Sequence, residues 1–117
     1  MRRVMLAAAA GMMLAGAMGT ATAQERTGYH AIAAGDLAGA EATLERERAI
    51  FPQRPELMLN LAAVYARTGR ASEARALYGD VLQREPIDLE LGNGSAVSSH
   101  LIAKRGLARL DTTVAAR

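Results

Sequence analysis

Shifted by 34 residues, this chain falls into register with itself. Gly35 meets Gly69, Ala40 meets Ala74, Ala42 meets Ala76 and Pro52 meets Pro86. Leu44 meets Tyr78, and Gly28 meets Ala62. A period of this length is too long for one helix or strand and too short for a domain. It fits a supersecondary unit used twice, in which each copy buries its apolar face only by stacking on the next.

The turn residues divide the repeating part into four helices. The first covers residues from about 25 to 34 and ends at Gly35. The second starts near Asp36, whose carboxylate can accept orphan N–H groups at a helix N-terminus, and runs to about Ile50 before Phe51-Pro52. The third opens on Pro55, a residue tolerated in a first helical turn, and stops at Thr68-Gly69, where glycine suits a left-handed ending. The fourth runs from about Ala71 to Arg84 and halts before Pro86. Connections of a few residues force consecutive helices to lie antiparallel. The fold expected is all-α, two antiparallel helix–turn–helix repeats at about 24–54 and 55–88 within a body of residues 24–91.

The second copy resembles the tetratricopeptide repeat family. Met58 stands where that family prefers Trp, followed by Leu61-Ala62, Tyr65, Ala74, Tyr78 and Pro86 at the family's spacing. Small Ala62 and Ala74 let paired helices approach, and Leu61, Tyr65 and Tyr78 fill the space beside them. The first copy is weaker, with Gln24, Thr27 and Ala31 in place of Trp, Leu and Tyr. No third copy follows. Residues 92–95 read as a loop, with Ser95 a candidate cap, and residues from about 96 to 110 as an amphipathic helix. Val97, Leu101, Lys104 and Ala108 form one stripe of that helix, with Leu107 and Leu110 beside it. Its expected role is to cap a short α-solenoid, leaving residues 111–117 as a frayed tail within the C-terminal segment 92–117.

The resemblance also implies a function. Such units bind proteins, and the first helix of each lines a concave groove. Carried onto this chain, the groove takes Glu56, Leu59, Asn60, Ala63 and Arg67 from the third helix, and Glu25, Arg26, Tyr29 and Ala33 from the first. Asn60 can donate to and accept from a peptide backbone, and Arg67 can pair with a carboxylate. The ordinary alternative is that both are plain surface residues. The clusters of basic residues with which some members grip a terminal carboxylate have no match here.

Residues 1–23 have the layout of a secretory signal: basic Arg2-Arg3, an apolar run over residues 4–19, and small residues Ala21-Thr22-Ala23 before Gln24. Cleavage is expected between Ala23 and Gln24. A retained anchor is the alternative, although 16 apolar residues fall short of the roughly 20 a spanning helix needs. The location expected is periplasmic or secreted. The net charge of +2 comes entirely from Arg2 and Arg3, so the remainder is neutral and carries no nucleic-acid footprint. Residues 24–91 hold 11 acidic and 8 basic residues, and residues 92–117 hold 4 basic residues and only Asp111.

No cysteine is present to staple the domain, and stability must come from stacked helices. Two units and a cap lie near the lower limit for such an array, so homodimerisation through its exposed end is expected. Catalytic and metal chemistry find little support. His30 and His100 are the only histidines, 70 residues apart. Neighbours Ser98, Ser99 and His100 point to different faces of a helix. Gly92-Asn93-Gly94 lacks the lysine and strand–loop–helix setting of a phosphate loop. No cofactor is expected. The sequence points to an exported interaction module with a peptide or protein partner. A structural subunit of an envelope complex, docking through residues 96–110 or the exposed end, is the alternative.

Overall fold

The computed structural model describes residues 27–91 and 93–115, with side chains to residue 112. The expected signal segment 1–23, the groove candidates Glu25 and Arg26, and residues 116–117 lie outside the described residues.

Among the described residues, five helices and one hairpin follow in order: α1 (Tyr29–Ala33), α2 (Leu37–Ile50), α3 (Pro55–Arg67), α4 (Ala71–Leu82), β1 (Asp88–Glu90), β2 (Ala96–Ser98) and α5 (Ser99–Ala115). Asp36 caps α2 as expected, its Oδ1 accepting the Gly39 N–H at 3.0 Å. Pro55 occupies the first turn of α3. The two units end their first helices in the same way. Gly35 and Gly69 adopt φ values of 83° and 82°. The next N–H then reaches back five residues, from Asp36 to Ala31 O and from Arg70 to Tyr65 O, each at 2.8 Å. This left-handed closure satisfies carbonyls that a helix end would otherwise leave unpaired.

The repeat is also a repeat of packing. Ala40 and Ala74 are fully buried, as is Leu44 one turn on, and its counterpart Tyr78 is nearly so. Leu57, Met58, Leu61, Ala62 and Val64 make α3 the centre of the core, with α2 on one side and α4 on the other. The apolar face of each helix therefore finds a neighbour before the chain runs out of units.

The C-terminal segment departs from the expected pattern. Residues 96–98 form a strand, antiparallel to β1 with Leu89 opposite Val97, and the helix begins only at Ser99. Asn93 and Gly94 drive the reversal: Gly94 has φ 87°, and the Asn93 Oδ1 accepts both the Ser95 N–H at 3.0 Å and its hydroxyl at 2.7 Å. Ser95 thus closes the turn and caps no helix. The start of α5 is held instead by Ser98, whose Oγ accepts the His100 N–H at 3.1 Å. Ser99 is fully buried, and its Oγ accepts the Ile87 N–H at 3.0 Å.

The expected stripe on this helix is also corrected. Leu101, Lys104 and Ala108 are exposed, and Val97 belongs to the hairpin. The inward stripe is Ser99, Ala103, Gly106 and Leu110, with Leu107 half-buried. Helix α5 must cross Tyr78 closely, and only small Ala103 and Gly106 allow it. Nor does the helix stop at Leu110. It continues to Ala115, and Asp111 accepts a hydrogen bond from Arg75 at 3.0 Å. It packs on α4 and α3, where the first helix of a third unit would stack, and so covers the last repeat.

Candidate protein-docking groove

Helix α3 carries the side chains expected to line the groove, and its placement at the centre of the core sorts them. Glu56, Asn60 and Ala63 are half-buried and Arg67 is exposed, along one stripe. Leu59 does not join them. It is only 4 % exposed and belongs to the core, because α3 is flanked on both sides and spares a narrower stripe than the resemblance implied.

Asn60 is partly committed within the molecule. Its Nδ2 donates to the Thr27 carbonyl at 2.8 Å, tying the approach to α1 against α3. The amide oxygen and the second N–H remain for other partners. Tyr29 follows two residues after Thr27 on the neighbouring helix, 43 % exposed, with the His30 ring edge-on at 5.8 Å. Ala33, also on α1, is exposed. Glu56 lies in the first turn of α3 and Arg67 in the last, so the stripe is negative at one end and positive at the other. Both charges also complement the helix dipole, a role that needs no ligand.

A second polar cluster joins the two units and was not foreseen. Arg70 makes a two-pronged contact with Glu41 of α2, one arm at 3.0 Å, and its guanidinium lies 4.5 Å from the centre of the Tyr65 ring. The Tyr65 hydroxyl donates to Glu45 at 3.2 Å. The Arg70 hydrogen bonds hold the Glu41 carboxyl below its ordinary pKa, and burial with the Glu45 contact pushes the Tyr65 phenol up. The two contacts to α2 span 20 and 29 positions, beyond the reach of any local pattern. Arg70 stands where Asp36 stands in the first unit, so the equivalent position caps a helix in one copy and braces two helices in the other.

At the opposite end of α2 and α3, Ile50, Phe51, Arg54, Glu56 and Ile87 border an open recess of about 520 Å³. Arg54 lies over Phe51 at 4.2 Å. The His100 Nε2 is 2.7 Å from the Arg84 carbonyl, to which it donates, so this ring serves the α4 terminus. Ser98, Ser99 and His100 are each engaged in backbone contacts and do not form a nucleophile–base pair. Among the described residues, no group of three His, Asp or Glu side chains could hold a metal ion. No helix among them is long and apolar enough to cross a membrane.

The tetratricopeptide repeat profile matches residues 31–92, more than half of the chain. The chain belongs to this family, whose repeats mediate protein–protein interaction and are not catalytic modules. No curated protein and no solved structure matches it significantly.

Proposed function

We propose that the chain is an exported docking module that holds a peptide segment of a cell-envelope protein against α1 and α3. The observation that carries this reading is the stripe Glu56, Asn60, Ala63 and Arg67, left half-buried to exposed on the helix that otherwise builds the core. A peptide lying along it would meet a carboxylate at one end and a guanidinium at the other, which orients the bound chain. The apolar residues 4–19 and the small residues before Gln24 support export, with a mature N-terminus at Gln24.

The alternative is a structural role in an envelope complex, with docking through α5 or the open end. The exposed Leu101 on the outer face of α5 favours keeping it. Self-association of two copies is compatible with either role.

Crosslinking in the envelope fraction tests both. Arg67→Glu with Tyr29→Ala changes two exposed residues and is expected to abolish capture of the partner while helicity is unchanged. Capture that survives this change but is lost in Lys104→Glu with Arg105→Glu would support the α5 reading instead. N-terminal sequencing of the protein from the periplasm is expected to begin at Gln24; a chain beginning at Met1 in the membrane fraction would overturn export by a cleaved signal.

A further inference from the structure

The hairpin and α5 present two exposed strips of opposite charge. The hairpin side carries Glu85, exposed just ahead of β1, and Asp88 and Glu90, which alternate with Leu89 and so share one exposed face of the strand. The outer face of α5 carries Lys104, Arg105 and Arg109 with Leu101, which is 41 % exposed, and Ala108. Ion pairs among the described residues join Arg70 to Glu41, Arg75 to Asp111 and Arg84 to Asp80. None of the six charges on the two strips takes part in one.

The strips are held side by side. The strand ladder passes straight into the helix, and the Ser99 N–H donates to the Ile87 carbonyl at 2.8 Å. With Ile87 fastened there, the acidic strip cannot fold over onto the basic face of its own α5. A second molecule can bring it there. If two copies meet about a two-fold axis, the hairpin of each faces the helix of the other and the same contact forms twice. Helix α5 is also the last layer of the array, so its outer face is where stacking would otherwise continue.

We propose that a second copy of this chain covers the outer face of α5, the acidic hairpin of one molecule docking on the basic face of α5 of the other. This names the surface for the self-association considered above and does not depend on whether the groove is occupied.

Sedimentation equilibrium of the full chain tests it through a charge exchange. The wild type is expected to dimerise with a Kd of about 10–100 micromolar, weakening at least tenfold as salt rises from about 50 to 500 mM, because the steering charges are exposed. Lys104→Glu with Arg105→Glu, and separately Asp88→Lys with Glu90→Lys, are each expected to be monomeric. Mixing these two variants is expected to restore a dimer, since each then offers what the other lacks. Circular dichroism of each variant establishes that it is folded. A wild type that stays monomeric at about 500 micromolar, well above the expected Kd, overturns the proposal and leaves the basic face to an acidic partner protein. A dimer indifferent to both exchanges also overturns it. Failure here leaves peptide capture by the groove untouched, and loss of capture leaves the dimer untouched.

Discussion

Gly106 of α5 lies directly against the ring of Tyr78 of α4, so close that a methyl group at 106 would overlap the ring carbons. Tyr78 is only 5 % exposed, so its ring is held within the core. The last helix is therefore seated by the absence of one side chain.

Gly106→Ala is expected to lower stability by about 1–3 kcal/mol, the usual cost of forcing extra volume into a packed core. Gly79→Ala is the control. It lies one residue from Tyr78 within α4, has open space around the position, and is expected to raise stability by roughly 0.5–1 kcal/mol through helix propensity. Thermal unfolding of the two variants should move in opposite directions, and a neutral Gly106→Ala would mean that α5 is not seated on Tyr78.

The equivalence of Gly35 and Gly69 gives a second test. Neither has an atom within 4 Å of where a Cβ would stand, so replacement by alanine costs only the left-handed backbone. Each variant is expected to lose about 1–2 kcal/mol, and the two losses should be similar. Chemical denaturation measures both. A large difference would show that the two turns are not structurally equivalent.

Titration offers a third. The Arg70 contact holds the Glu41 carboxyl low, so its contribution to stability is present at neutral pH and is lost as pH falls through about 4.5 and below. Burial pushes the Tyr78 phenol up, against a smaller pull from Arg109. Its contribution is present below about pH 10 and is lost as pH rises beyond that. Glu41→Gln should flatten the acid limb of the Tm profile and Tyr78→Phe the alkaline limb. Unchanged limbs would contradict both assignments.

The repeating half of the molecule was readable because its instructions are local. Gly35, Gly69, Asp36 and Pro55 act within a few residues of themselves, and the 34-residue shift brings out the buried pair Ala40 and Ala74. The hairpin was missed although Asn93-Gly94 is a strong turn signal, because strands of three residues with only Leu89 and Val97 facing one another carry too little alternation to stand out. Leu59 was assigned to the groove because a helical stripe shows which residues share a face but not how many neighbours cover it. The pairing of Arg70 with Glu41 was not legible, since antiparallel neighbours fix which helices meet but not which side chains reach one another. Asn60 was legible as a polar residue on the partly open stripe of α3. Its bond to Thr27 was not.

By the period, a third unit would begin 34 residues after Pro55, at Leu89, but α5 begins at Ser99, ten positions late. The hairpin thus acts as a phase break. A further copy of the 34-residue unit spliced in ahead of Pro86 would keep every helix in step and carry the same terminus with it. The same copy added after Ser95 would arrive out of step with α4 and find no seat. Lengthening by duplication is open on one side of the hairpin and closed on the other, which makes those ten residues the point where the repeat register stops.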